Sequence, residues 1–122
     1  MKAPVPTEHI EQVNLVKWFD LQYKALRGRL VAIPNGGDRH GAVAAKLKAE
    51  GVRKGFPDLL LLTPRAGYHG LVIEMKRVKG GTLKDEQAEW LEWLAGQGYM
   101  AVVCKGADQA RETIKRYLGG TA

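Results

Sequence analysis

The feature that most constrains the fold is a pair of apolar runs separated by a loop of turn-forming residues. The runs are DLLLL and LVIEMK, and the loop between them, Thr63 to Gly70, contains Pro64 and Gly67. Short apolar runs flanking such a loop predict two β-strands joined as an antiparallel hairpin, with Leu62 opposite Leu71. Other elements must cover the apolar residues of this hairpin, so a layered fold is expected.

Helical and extended patterns alternate along the rest of the chain. Apolar residues at helical spacing follow Thr7, a good N-cap, and predict the first helix. The predicted elements outside the hairpin are a helix from Thr7 to Leu26, a strand from Leu30 to Ile33, a helix from His40 to Glu50, a helix from Leu83 to Gln97, a strand from Tyr99 to Cys104 and a helix from Ala107 to Leu118. The order α-β-α-β-β-α-β-α predicts an α/β layered domain with a mixed sheet, a single domain over residues 1–122.

Chain length and composition exclude several classes of protein. The 122 residues suit one domain, and 45% apolar with 26% charged residues is ordinary for a globular protein. No apolar run approaches the roughly 18 residues that cross a bilayer. The N-terminus has no apolar signal-peptide core, so neither membrane insertion nor export is expected. A single cysteine, Cys104, excludes an internal disulfide framework and a cysteine-rich zinc site, and suits the cytoplasm.

Positive charge is concentrated in one part of the chain. The net charge is +6, and ten Lys or Arg residues but only three acids lie between Arg39 and Lys84. The remainder has nine basic and ten acidic residues. A local basic surface binds polyanions because phosphates that it neutralises release their counterions; a surface kept basic for solubility is the alternative. Two of the three acids, Asp58 and Glu74, fall within the apolar runs, where solubility does not explain them.

The predicted hairpin brings three charged side chains together at its open end. Its register places Asp58 opposite Met75, and the two neighbours of Met75, Glu74 and Lys76, share one face of their strand. A small shift of register brings Asp58 within reach of that face. Unpaired charges near a core cost several kcal/mol unless they pair or bind metal, so a functional cluster is indicated.

Two carboxylates beside an ammonium group suit phosphodiester hydrolysis. Asp58 and Glu74 could hold Mg²⁺ or Mn²⁺, which prefer hard oxygen ligands. Lys76 could orient or deprotonate the attacking water, or stabilise developing negative charge. The alternative is structural: Glu74 and Lys76 would form a pair on the strand surface, and Asp58 would cap a turn after Pro57.

Three segments together resemble the VRR-NUC (virus-type replication-repair nuclease) family of PD-(D/E)XK enzymes, and the match covers nearly the whole chain. They are GVRKGFPDLLLL, LVIEMK and the segment from Leu83 to Leu118. The motifs are Pro57-Asp58, Glu74-Met75-Lys76, Gln87 on the following helix and Pro34-Asn35-Gly36 before the second helix. The resemblance implies a restriction-endonuclease-like fold, a central mixed β-sheet flanked by helices, and divalent-metal-dependent DNA cleavage.

The resemblance also implies roles for the matching side chains. Asp58 and Glu74 would bind the metal ion, and Lys76 would act in catalysis. Gln87 lies on the apolar stripe of its helix. Its amide is therefore either a satisfied, half-buried group or is aimed at the active site, and the family motif favours the site.

A glutamate on the first helix completes the metal site in this family. Glu8 lies four residues before Gln12 and fits the family's Glu-x-x-x-Gln spacing slightly better than its rival, Glu11. The alternative is that both acids lie in an exposed first turn and complement the helix dipole.

Basic residues flank the predicted site in the sequence and suit contacts to the DNA backbone rather than to base edges. Bare backbone around Asn35 could also let a phosphate approach closely. The predicted DNA-binding residues are Asn35, Lys46, Lys48, Arg53, Lys54, Arg77, Lys79 and Lys84. Each of them, taken alone, is more often an ordinary surface residue.

Small stand-alone members of the family, from phages and bacteria, imply homodimers that cut branched DNA such as four-way junctions. We therefore expect an Mg²⁺- or Mn²⁺-dependent endodeoxyribonuclease resembling Holliday-junction resolvases, acting in phage or prophage replication and repair in the cytoplasm of a bacterial host or phage-infected cell. The alternatives are a flap or linear-duplex nuclease of the same fold, and a DNA-binding module without catalysis. The intact set Asp58, Glu74, Lys76 and Gln87 favours an enzyme.

Overall fold

The computed structural model describes residues 4–34 and 41–119, which contain four α-helices and four β-strands. The helices are α1 (Glu8–Gln22), α2 (Gly41–Ala49), α3 (Asp85–Gly96) and α4 (Gly106–Tyr117), with a short 3-10 helix at Lys24–Leu26. The strands are β1 (Leu30–Ala32), β2 (Leu59–Leu61), β3 (Leu71–Lys76) and β4 (Met100–Lys105). The predicted order of helices and strands is confirmed, while the predicted start of the second helix at His40 lies outside the described residues. Over these two ranges no helix has both the length and the apolar character needed to cross a membrane.

All four strands form one mixed sheet in the order β1-β2-β3-β4. β2 pairs antiparallel with both β1 and β3, whereas β3 and β4 are parallel. The parallel pair needs a crossover connection, and α3 provides it. The predicted architecture, a mixed sheet flanked by helices, is therefore confirmed.

The hairpin register predicted from the sequence was wrong by one residue. The structure places Leu61, not Leu62, opposite Leu71, and the Leu62 side chain is 62% exposed in the loop. A uniform run of leucines does not mark where the strand ends, so the sequence could not separate the two registers. Continued towards the open end, the observed register aligns Asp58 with Glu74, and residues directly opposite each other project from the same face.

The two faces of β3 have different roles. Leu71, Ile73 and Met75 are fully buried in the apolar core with residues of α1 and α4, and Phe19 is the largest fully buried side chain of that core. Burial of side chains of this size typically contributes about 1.5–3 kcal/mol each. The alternate residues of β3 lie on the opposite face, where its two charged side chains are also buried. The core therefore positions a strand whose second half carries charge on the other face.

Candidate active site

Asp58 is fixed at the open end of the hairpin by contacts on both sides. Its Oδ2 accepts a hydrogen bond of 2.7 Å from the backbone N–H of Met75. The preceding Pro57 is fully buried. Gly55 packs so closely on α3 that a Cβ there would lie 2.8 Å from the carbonyl carbon of Glu86. The Asp58 carboxylate is thus held against β3, and its loop is held against α3.

Glu74 is the most deeply buried charged residue of the site, with 2% of its surface exposed. Its Oε2 accepts a hydrogen bond of 3.2 Å from Nε2 of Gln87. Nζ of Lys76 lies 3.6 Å from the same oxygen, and Lys76 is itself only 6% exposed. The other oxygen, Oε1, is buried without a hydrogen-bond partner.

The surroundings of Glu74 disfavour its ionised form. Burial, followed by the neighbouring Asp58 carboxylate, raises the pKa of Glu74 to about 8, although the Lys76 ammonium lowers it. Two carboxylates that share a site cannot both ionise without a large electrostatic cost. Without a cation, Glu74 is therefore mainly protonated at neutral pH.

The side chains of Asp58 and Glu74 fit a divalent cation. A cation would offset the repulsion between the two carboxylates and give the orphaned Oε1 of Glu74 a partner. Within the described ranges, no three His, Cys, Asp or Glu side chains are grouped so as to hold a metal ion. Mg²⁺ commonly uses one or two carboxylates and completes its octahedral shell with water and substrate phosphates, so two protein ligands suffice.

The two candidate glutamates of α1 have different environments. Glu8 is half-buried in the first turn, which the Thr7 side chain caps as predicted, and its charge contributes to the raised pKa of Glu74. Glu11 is 9% exposed, and its Oε2 lies 2.7 Å from the position a Cβ would take on Gly106, the first residue of α4. A carboxylate there is favoured by the helix dipole of α4. Glu8 is thus the acid of α1 whose charge acts on Glu74.

Gln87 connects the start of α3 to the site. Its Nε2 donates to Glu74, and its Oε1 accepts a hydrogen bond of 2.9 Å from the backbone N–H of Lys84. The sequence left two alternatives for this amide: its hydrogen bonds are satisfied within the fold, or it points towards the active site. In the structure it does both, because it bonds to the Lys84 backbone and to the Glu74 side chain. One side of the amide caps the helix, and the other orients the buried carboxylate.

Four predicted DNA-binding residues precede β2. Lys46 and Lys48 are exposed in the last turn of α2, and Arg53 and Lys54 are exposed in the following loop. Nζ of Lys54 lies 3.3 Å from Oε1 of Glu86 on α3. All four lie on the segment that leads into the Asp58 loop.

Three further predicted DNA-binding residues follow β3. Arg77, Lys79 and Lys84 are all exposed, and the Arg77 guanidinium donates to the carbonyl of Val5 over 3.4 Å. Asn35, the remaining predicted contact, lies outside the described residues.

Lys105 is a basic residue near the site that the sequence analysis missed. It ends β4 directly beside Lys76, with which it is paired in the parallel ladder, and it is exposed. The sequence feature that could have predicted it is a lysine at the carboxyl end of the apolar strand that follows the crossover helix. Carboxyl ends of parallel strands meet at one edge of a sheet, so this lysine adds positive charge beside the buried cluster.

Comparison with known proteins identifies the class that this fold and site define. The model of the VRR-NUC domain family matches residues 7–108. A solved structure named "VRR_NUC domain protein" has a TM-score of 0.83 and 34% sequence identity, covering 94% of this chain and 90% of that one. No curated protein matches the chain. The chain belongs to the VRR-NUC family, nucleases of the PD-(D/E)XK type, and the predicted resemblance is confirmed.

Proposed function

We propose that this protein is a divalent-metal-dependent DNA endonuclease that acts, as a homodimer, on branched DNA such as four-way junctions. The observation that carries the nuclease activity is the pair of adjacent carboxylates, Asp58 and Glu74, with a buried oxygen that lacks a partner and a buried Lys76 beside it. The homodimer and the junction preference are proposed from the resemblance to small stand-alone members of the family. We place its activity in phage or prophage replication and repair, in the cytoplasm of a bacterial host or phage-infected cell.

The side chains of the site divide the chemistry among them. Bound Mg²⁺ or Mn²⁺ would supply Lewis acidity and neutralise phosphate charge. Asp58 and Glu74 would hold the cation, and Glu74 would lose its proton when the cation binds. Lys76, whose Nζ is 3.6 Å from Glu74, would orient or deprotonate the attacking water or stabilise charge on the phosphate. Gln87 would keep the Glu74 carboxylate in position.

Glu8 is the candidate for a further metal contact. It is half-buried at the start of α1, and its charge already acts on Glu74. It would reach the cation directly or through water, whereas Glu11 would keep its position at the N-terminus of α4. A Glu8→Gln variant should therefore lower the affinity for the metal ion, measured as the Mg²⁺ concentration needed for half-maximal cleavage, more than a Glu11→Gln variant does.

The homodimer is inferred from the family resemblance and from the need to cut two strands of the proposed substrate. A four-way junction is resolved by cutting two strands at symmetric positions. A two-fold dimer presents the same surface twice and would place two active sites symmetrically. The basic residues before β2 and after β3, together with Lys105, would contact the DNA backbone on each protomer.

The test is cleavage of a labelled four-way junction beside linear duplex, single-stranded and flap DNA of matched sequence, in Mg²⁺, Mn²⁺ or EDTA. Asp58→Ala and Lys76→Ala are compared with Lys115→Ala, a remote lysine paired with Glu112 on α4. We expect paired, metal-dependent cuts in the junction that disappear in the first two variants and persist in the third.

Other outcomes distinguish the alternatives. Metal-dependent cutting of flap or linear DNA alone would keep the active site and remove the junction preference. Binding without cutting in any metal would overturn the proposal in favour of a DNA-binding module.

A further inference from the structure

A groove of about 520 Å³ runs along α3, the helix that carries Gln87. We call it the tryptophan groove; it is lined by Lys54, Glu86, Glu89, Trp90 and Trp93. Its volume is within the range that holds small ligands or a nucleotide, roughly 300–1,000 Å³. None of the proposed catalytic side chains lines it.

Two tryptophan rings, Trp90 and Trp93, line this groove, and Phe56 contacts the first of them. Phe56 and Trp90 meet edge to face with their centroids 5.0 Å apart, and Trp90 and Trp93 do so at 5.9 Å with an angle of 87° between their planes. Trp93 is the outermost of the three and is 56% exposed. The indole rings of Trp90 and Trp93 are perpendicular, and Trp90 is held by its contact with Phe56. Trp93 packs on Trp90 and therefore exposes a flat apolar ring surface whose position is supported.

The charges of the groove select the kind of ligand. Glu86 is paired with Lys54, and Glu89 is exposed on the same side of α3. Carboxylates repel a phosphate, so the groove between Glu86 and Glu89 does not suit the DNA backbone, whereas the Lys54 side chain, which is 84% exposed, still has room to contact a phosphate outside the groove. Carboxylates accept hydrogen bonds from the amino groups of nucleobases, and aromatic faces stack on bases of any sequence.

The groove and the proposed catalytic cluster are built on the same two segments, the loop that leads to Asp58 and the start of α3. Gly55 packs directly against the backbone of Glu86, and Gln87, the next residue, donates to Glu74. The ring of Phe56 belongs to the same loop, immediately before the buried Pro57 that precedes Asp58. A strand whose phosphate lies at the carboxylates would therefore pass the groove with a neighbouring nucleotide.

We infer that the tryptophan groove binds an unpaired nucleobase of the DNA strand that occupies the active site, stacked on Trp93. The inference rests on the proposed function, because it takes DNA as the substrate, and it narrows the substrate to DNA with unstacked bases near the cut. A base in a continuous duplex is stacked on both sides and cannot enter the groove. Branch points and single-stranded tails supply such bases.

The test measures binding in EDTA, so that no cleavage is required. The probes are a duplex with a single-stranded tail and the same duplex fully paired, and the tail carries 2-aminopurine. Trp93→Ala should weaken binding of the tailed DNA by about fivefold or more, the typical effect of losing one base–aromatic stack, and should leave the paired duplex unchanged. Trp93→Phe should keep most of the preference and the quenching of 2-aminopurine. Leu21→Ala, which removes an exposed apolar side chain on α1, should behave as wild type.

Three results would overturn the inference. Equal weakening of tailed and paired DNA, or no weakening of either, would show that the groove does not select an unpaired base. The groove would instead be a contact between two copies if Trp93→Ala converts a dimer to monomers in analytical ultracentrifugation and leaves the preference for tailed DNA intact.

A different result would separate this inference from the proposed function. A wild-type protein that prefers tailed DNA in EDTA but cuts no DNA with metal would contradict the proposed nuclease activity and leave the base-binding groove in place.

Discussion

The two ends of the β2–β3 hairpin are built differently. At the closed end, polar groups are paired: the Tyr117 hydroxyl donates to the carbonyl of Thr63 over 2.6 Å, and the Met100 N–H donates to the carbonyl of Gly70 over 2.9 Å. At the open end, no donor group of the described residues reaches the buried Oε1 of Glu74, and Glu74 can form a hydrogen bond with the neighbouring Asp58 carboxylate only while it keeps its own proton. The closed end stabilises the fold, whereas the open end retains an electrostatic cost that a bound cation would remove.

β3 joins these two ends and explains how the cost is tolerated. Its apolar residues, Leu71, Ile73 and Met75, are buried in the main core with α1 and α4. Ionising a buried carboxyl group without full compensation costs several kcal/mol, which is comparable to the burial of two or three such side chains. Stability from one face of the strand therefore offsets the charges on the other.

The largest expected effect is on catalysis at the open end. Asp58→Asn keeps the shape of the side chain but removes its negative charge, so cleavage should fall by about 10²–10³-fold, as for other losses of electrostatic stabilisation in active sites. Single-turnover cleavage rates in Mg²⁺ would measure this. Asp108→Asn, on an aspartate that is 95% exposed in α4, is the matched control and should cut at the wild-type rate. Similar rates for both variants would place the metal site elsewhere.

The next largest effect is on stability as a function of pH. Glu74 has a pKa of about 8 in the folded protein and an ordinary value near 4.5 when unfolded, so the folded state holds the extra proton between these values. Stability of the metal-free protein should therefore fall as pH rises from about 5 to 8, by a few kcal/mol at about 1.4 kcal/mol per unit. Glu74→Gln should abolish this slope in urea denaturation in EDTA, and the exposed Glu92→Gln should retain it. An unchanged slope in Glu74→Gln would contradict the assignment.

A pair of glycines with the same backbone angle compares the two ends directly. Gly55 and Gly67 both have φ of 86°, but only at Gly55 would a Cβ contact backbone, 2.8 Å from the carbonyl carbon of Glu86. Gly55→Ala should cost about 1–3 kcal/mol and, because the Asp58 loop must move, about tenfold in cleavage. Gly67→Ala, in the loop of the closed end, should cost about 1 kcal/mol from its φ alone and leave cleavage unchanged. Equal effects on cleavage would show that the close packing on α3 does not position the site.

The smallest effect is expected at the closed end. Tyr117→Phe removes the hydroxyl that donates to the carbonyl of Thr63 and should lower the free energy of unfolding by about 1–2 kcal/mol. Chemical denaturation measures the loss, and cleavage under Mg²⁺ should stay within twofold of wild type. A large loss of cleavage would mean that the two ends are coupled.

Much of the fold could be predicted from the sequence, because apolar periodicity and turn residues mark the helices and strands. The register could not, since consecutive leucines satisfy two alignments equally and only the loop, in which Leu62 is exposed, decides between them. The first helix also ends earlier than predicted, at Gln22, because the pattern continues through the short 3-10 helix that follows it.

The site could be predicted in part for a similar reason. Motifs along the chain indicated Asp58, Glu74 and Lys76, but the two acids of α1 lie on one helical face, and spacing alone does not separate Glu8 from Glu11. The contact of Glu11 with Gly106 depends on how α1 crosses α4, which is a tertiary feature.

The most direct test of the metal site proposed at the open end of the hairpin is a calorimetric titration of the DNA-free protein with Mn²⁺. The titration is made at neutral pH in two buffers that differ in ionisation enthalpy, so that the number of protons released can be calculated. Because burial and the neighbouring Asp58 raise the pKa of Glu74, we predict that binding of the ion releases protons. We predict also that Glu74→Gln loses both the binding and the proton release, while Glu92→Gln keeps them. Binding that persists unchanged in Glu74→Gln would contradict a metal site built on Asp58 and Glu74, and binding without proton release in the wild type would contradict the raised pKa of Glu74.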